Sequence, residues 1–171
     1  IAFCLLAAPA PLRATTAADL PKVRVIATGG TIACAQAKTG DYGYKSGAYD
    51  VNTLVSAVPN LDKLAVITGE QVVNIGSQDM NNEVWLKLAK RLNEVLAQRD
   101  VDAVVITHGT DTMTETALVL AAGVPGKTIV LTGALTPARF VETDAPFNLG
   151  MAFATAQLAP PGVWIAMSGQ V

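Results

Sequence analysis

The chain has 171 residues, enough for one domain with a proper core. Hydrophobic residues make up 51% and charged residues 15%, and the net charge is −2 with acids and bases interspersed. There is no basic stripe or Lys/Arg cluster, which argues against nucleic acid as a partner. No apolar run reaches the roughly 18 residues of a membrane span.

Residues 1–18, "IAFCLLAAPAPLRATTAA", are Ala-rich and hold a short apolar stretch that loosens through Pro9 and Pro11. They read as the tail of a secretory signal peptide cleaved after Ala18, so a periplasmic or secreted domain is expected over 19–171. Cys4 would leave with that segment and Cys34 would have no internal disulfide. Cys34 reads as a small residue packed behind a loop. No Cys/His set has metal-ligand spacing, and neither a metal nor another cofactor is expected.

The rest alternates strands with helices. Residues 23–27 are a short β-branched strand ended by Gly29-Gly30. Residues 35–46, polar and glycine-bearing, read as a long loop. A short helix over 51–58 is closed by Pro59. Residues 64–68 and 71–75 read as two strands. In 81–98, Val84, Leu88, Leu92, Val95 and Leu96 recur at helical spacing among charges, with Asp79 or Asn81 as N-cap. Residues 103–107 are apolar on both faces, as in a sheet covered on both sides. A helix over 113–122, a strand over 128–132, a helix capped by Asp144 and running to about 158, and a strand over 163–167 complete the series. This order predicts an α/β fold: an open, mostly parallel sheet with helices on both faces.

In such sheets ligands bind outside the carboxyl ends of the strands. Three polar tips fall there. Thr28-Gly29-Gly30-Thr31 follows the first strand; its glycines let backbone N–H groups approach an anion or a developing oxyanion. Alone, it reads equally as a tight turn. Gly76-Ser77-Gln78-Asp79 offers hydroxyl and amide groups suited to a carboxylate, or is an ordinary polar loop. His108-Gly109-Thr110-Asp111 sets a hydroxyl beside a carboxylate that can accept an ammonium, and Asp111 or Thr112 can also cap the next helix. His108, the one histidine, reads as a structural hydrogen-bonder rather than a general base.

"ATGGTIA" and "ITHGTDTM" resemble the two signature segments of bacterial L-asparaginases, and "GEQVVNIGSQDMNNEVWLKLAKRLN" is similar to the periplasmic type II branch. The resemblance runs from Leu20 to Val171. It implies a threonine acyl-enzyme mechanism in which Thr31 is the nucleophile and Tyr44 activates it. Ser77 and Gln78 would hold the substrate α-carboxylate and Asp111 its α-amino group. Thr110 would be the second catalytic threonine, working with Asp111 and a lysine, while Gly30 and Thr110 lend oxyanion donors. The family lysine lies in a later segment, and Lys127, placed before a strand, does not match it. The family's smaller C-terminal domain is likewise absent from these residues, so a fragment is expected, one whose own activity is in question. The implied substrate is L-asparagine, and the full-length protein would be a homotetramer. The alternatives are a mixed glutaminase-asparaginase acting also on L-glutamine, an amidotransferase subunit, and a non-catalytic amino-acid-binding domain.

Overall fold

The computed structural model describes residues 20–36, 44–45, 51–56, 58–124, 126–138 and 140–171. The proposed signal segment lies outside them. Five strands form one parallel sheet: β1 (Lys22–Gly29), β4 (Val66–Ile75), β5 (Ala103–Thr107), β6 (Thr128–Thr132) and β7 (Gly162–Ile165). Their spatial order is β4-β1-β5-β6-β7. The helices are α1 (Val51–Ser56), α2 (Asn82–Leu96), α3 (Met113–Gly123) and α4 (Ala145–Leu158).

The alternation of side chains along each strand divides the core. Val23, Val25 and Ala27 of β1 join Val105 and Val130 under α1 and α4. Ile26, Val104, Ile106, Ile129 and Leu131 point the other way, onto α2 and α3. β5 is buried along all five residues, as its double-sided apolar run predicts, and β6 is buried along all five as well. In α2 the buried set Leu88, Leu92, Val95 and Leu96 lies on one face, each side chain contributing about 1.5–3 kcal/mol by its burial. Asn81 starts that helix: its Oδ1 accepts from the N–H groups of Glu83 (3.0 Å) and Val84 (3.2 Å).

Four local expectations differ from the structure. The two strands read at 64–68 and 71–75 are one, because β1 pairs with it straight through Gly69 and Glu70. Gly69 is no breaker there; a Cβ would come within 2.9 Å of the Val51 Cβ, so glycine makes room for α1. The loop at 35–46 contains a small antiparallel ribbon, β2 (Ala35–Gln36) with β3 (Tyr44–Lys45), while 37–43 lie outside the described residues. Asp144 does not cap α4 through its side chain. Thr143 Oγ1 accepts from the Ala145 N–H at 3.1 Å, and the Asp144 carboxylate instead accepts from Leu135 N, Thr136 N and Asn148 Nδ2. Neither Asp111 nor Thr112 caps α3 by a side-chain bond: Thr112 is the N-cap residue without one, and its hydroxyl goes elsewhere.

The strand order also fixes where a site can form. From β1 the chain steps outward to β4 through α1, then crosses back over β1 to β5 through α2. The direction reverses between β1 and β5, and that reversal opens a crevice at the carboxyl ends of the strands. A second feature bears on the same rim. The β5-α3-β6 and β6-α4-β7 connections step in the same direction across the sheet, yet α3 and α4 cover opposite faces. Those two crossovers therefore have opposite hands, against the strong preference for one.

Candidate active site

Each of the three polar tips is placed by its strand. At the end of β1, Gly29 and Gly30 have φ of 103° and 77°, conformations that strain any residue with a Cβ. The Gly30 N–H donates to the Ile75 carbonyl at 3.0 Å, tying this turn to the end of β4. A Cβ on Gly30 would lie 2.5 Å from the Gly109 Cα. The first and third tips thus touch backbone to backbone, which glycine at both positions permits.

Thr31 follows on a short 3-10 turn (Thr31–Ala33). Ile32 and Ala33 are fully buried and pack with Leu54, Ala134, Ala138 and Leu149. Thr31 itself is half-buried, so its side chain stands at the crevice on a turn anchored from below. The Cys34 thiol donates to the Gly30 carbonyl at 3.3 Å and closes the same turn from behind. Thr28 belongs to the scaffold: its hydroxyl donates to the Thr107 carbonyl at 2.9 Å in the core.

The second and third tips meet through Ser77. Its hydroxyl donates to Asp111 Oδ2 at 3.2 Å, and the Asp111 N–H donates to Ser77 Oγ at 3.1 Å. The Thr112 hydroxyl donates to the Ser77 carbonyl at 2.8 Å. A Cβ on Gly109 would lie 2.5 Å from Ser77 Oγ, so this glycine too is required by close approach. Ser77 is buried, whereas Gln78, Thr110 and Asp111 are exposed at the rim. Gln78 folds back over Gly76, within 2.6 Å of where a Cβ there would stand.

Gly30, Thr31, Ser77, Gln78, Thr110 and Asp111 are accordingly gathered on three neighbouring strand ends. Tyr44 is placed by its backbone alone: it pairs with Gln36 in the ribbon that leaves the rim just after Cys34. Lys127 is far from this cluster. Its ammonium donates to the carbonyls of Gln98 (2.9 Å) and Val101, at the amino-end edge of the sheet. His108 is 1% exposed and makes its bonds inward. Burial pushes its imidazole below the ordinary 6.5, with the Gly109 carbonyl only partly opposing this. Sequence reasoning missed the binding of Thr112 to Ser77 and the partners of His108. The one available signal was Thr116, a hydroxyl among the buried positions of α3 beside Met113 and Leu120.

Among the described residues no group of acidic, histidine or cysteine side chains is arranged to hold a metal. The rim offers instead hydroxyls, a carboxylate, an exposed amide and close-packed glycine backbone. Such a set, in the crevice of a parallel α/β sheet, is of the kind to which small polar molecules bind.

The comparisons narrow that class. The family model for the asparaginase N-terminal domain matches residues 22–171, and the chain belongs to that family. L-asparaginase 2 of Bacillus subtilis is 48% identical over 77% of this chain and 36% of its own length. A probable periplasmic L-asparaginase of Haemophilus influenzae is 47% identical over 91% of this chain and 45% of its own. The crystal structure of a probable cytoplasmic L-asparaginase from Campylobacter jejuni superposes with a TM-score of 0.79 at 41% identity, covering 85% of this chain and 46% of that one. The chain spans less than half the length of these relatives.

Proposed function

We propose that this chain carries the nucleophile and the substrate cradle of an amidohydrolase that converts L-asparagine to L-aspartate and ammonia. The observation that supports the reading is the packing of Gly30 on Gly109 and the bonding of Ser77 to Asp111, which join the turn bearing Thr31 to the tips bearing Ser77 and Asp111. In this scheme Asp111 receives the α-ammonium, and Ser77 and Gln78 receive the α-carboxylate. The side-chain carboxamide then lies toward Thr31.

The Thr31 hydroxyl gives up its proton, assisted by Tyr44, as its oxygen bonds to the amide carbon. The C–N bond breaks, nitrogen takes a proton, and ammonia leaves an ester on Thr31. Water, oriented by Thr110 and Asp111, adds to that ester and releases aspartate. The Gly30 N–H, expected from the sequence as an oxyanion donor, is taken by the Ile75 carbonyl, so that role falls to the N–H groups of Thr31 and Thr110, each worth about 3 kcal/mol. Glutamine differs from asparagine by one methylene, which such a pocket discriminates by only ~1–3 kcal/mol, so both amides belong in the assay. A lysine in a segment beyond the 171 residues would complete the proton transfer, and the assembled protein would be a tetramer. The Ala-rich opening segment suits an exported protein, which cell fractionation would test.

The test is ammonia release from L-asparagine and L-glutamine by the 171-residue chain and by the longer protein that contains it, each with a Thr31→Ala control. Release that disappears in the control supports the assignment. Undiminished release from Thr31→Ala removes Thr31 from the nucleophile role. Tight amino-acid binding without release from either protein would favour a non-catalytic binding domain.

A further inference from the structure

Behind the rim lies a buried polar chain that the catalytic scheme does not use. Trp85 Nε1 of α2 donates to Thr116 Oγ1 of α3 at 2.9 Å. Thr116 Oγ1 lies 3.0 Å from His108 Nε2, and His108 Nδ1 lies 2.7 Å from the Gly109 carbonyl oxygen. Thr116 is fully buried and His108 nearly so.

Elementary donor and acceptor arithmetic sets the direction of every bond. A carbonyl has no proton to give, so His108 Nδ1 carries one. In the neutral imidazole Nε2 is then a lone pair, and the Thr116 hydroxyl must donate to it. The indole N–H can only donate, and Thr116 Oγ1 has lone pairs left to receive it. All donors therefore point the same way, from Trp85 through Thr116 and His108 to Gly109, an arrangement in which each bond polarises the next.

The end of this chain is the peptide that joins Gly109 to Thr110. No peptide bond among the described residues is cis, so in this trans unit the carbonyl and the N–H point in opposite directions. Drawing the Gly109 oxygen inward onto His108 turns the Thr110 N–H outward, toward the crevice. Gly109 has no side chain to hold that plane, so the bond to His108 supplies what its own sterics do not.

We propose that Trp85, Thr116 and His108 are positioning residues that fix the Gly109–Thr110 peptide plane and so aim the Thr110 N–H at bound substrate. The turnover arm of the test rests on the amide-hydrolysis reading; the structural arm does not. His108 is the one histidine of the sequence, so histidine labelled with 15N gives a single pair of ring nitrogens by NMR. The ligand-free 171-residue chain is expected to show the Nδ1–H tautomer, with Nε2 shifted as a hydrogen-bonded lone pair.

Thr116→Val keeps the volume but removes the hydroxyl. It is expected to change the tautomer balance, to move the Thr110 amide cross-peak, and to lower kcat roughly 10-fold with KM changed far less. Thr116→Ser should restore all three. An Nε2–H tautomer in the unmodified chain, or an unmoved Thr110 amide in Thr116→Val, overturns the relay. So does a fall in kcat that Thr116→Ser fails to rescue. The expected nitrogen and amide shifts, together with no amide hydrolysis by the longer protein that contains this chain, would refute the proposed function and leave the relay standing.

Discussion

Replacing Gly30 with alanine tests the contact on which the site depends. The new Cβ would lie 2.5 Å from the Gly109 Cα and 2.8 Å from the His108 carbonyl carbon, where ordinary contact begins at 3.4 Å. Both neighbours are backbone, so no side chain can swing aside, and the two strand ends must part by about 1 Å. The φ of 77° adds roughly 1–2 kcal/mol for a residue with a Cβ. The enforced separation adds roughly 1–3 kcal/mol as overpacking. The sum, about 2–5 kcal/mol, corresponds to a fall in Tm of roughly 5–20 °C for a domain of this size. On the proposed scheme, separating Thr31 from Ser77 and Asp111 by ~1 Å should also cost about 100-fold in turnover. Thermal unfolding by circular dichroism and ammonia release below the transition measure the two effects separately. Gly150→Ala is the matching control: a Cβ there meets nothing within 4 Å in the interior of α4. It should stabilise by about 0.5–1 kcal/mol. A Gly30→Ala protein that melts with the parent and turns over at its rate would refute the claim that these tips must touch.

Ser77→Ala removes both side-chain bonds to Asp111 and should cost about 1–3 kcal/mol in denaturant unfolding, with a raised KM for the amide. The pH dependence of stability has two working parts. His108 has a folded-state pKa below its ordinary 6.5, so the unfolded chain binds its proton first. Stability should therefore decline as pH falls below about 6.5, and His108→Asn should remove that part of the slope. For Asp144, partial burial raises the pKa, but bonds from Leu135, Thr136 and Asn148 outweigh it and the net shift is downward from 3.8. Its contribution is complete above that value and is lost as pH falls through the lower folded-state pKa. Urea titrations of Asp144→Asn across the acid range should show that loss reduced.

Sheet and helices were legible in the sequence wherever burial alone decides structure. The stretches 103–107 and 128–132 coincide with β5 and β6, the first because two covered faces leave an apolar run, the second because β-branched residues cluster there. The periodicity of α2 was equally plain. Legibility failed where a distant partner decides. Gly69-Glu70 looks like a turn until β1 is laid beside it, and the missing Cβ at Gly69 is explained by Val51, far earlier in the chain. Asp144 has the chemistry of a cap, yet two backbone N–H groups nine and eight residues before it compete for its carboxylate and win. For the site, the rule that ligands bind at the carboxyl ends of parallel strands placed Thr31, Ser77 and Asp111 on one rim. It did not say that Gly109 touches Gly30, or that Thr112 holds Ser77 rather than its own helix. Those contacts join residues more than thirty positions apart, and neither periodicity nor propensity carries such information.

The reversed hand of the β6-α4-β7 connection has a use at this rim. Had α4 followed α3 onto the same face, the chain leaving β6 would have turned toward α3. It instead crosses the rim to the α1 side, and in doing so runs over the turn that bears Thr31. The Ala138 N–H donates to the Ile32 carbonyl at 3.2 Å, and Ala134 and Ala138 pack on Ile32 and Ala33. Asp144 and Asn148 then pin this link: the carboxylate takes the N–H groups of Leu135 and Thr136, and Asn148 Nδ2 donates to the Gly133 carbonyl at 3.0 Å. Asn148 Oδ1 also accepts from the Ser168 N–H, so one buried side chain fixes the segments that follow both β6 and β7. The nucleophilic role proposed for Thr31 would need support for its turn from below as well as from the strand that carries it. The uncommon crossover supplies that support to the Thr31 turn, and the half-buried Asp144 and the buried Asn148 keep it in place.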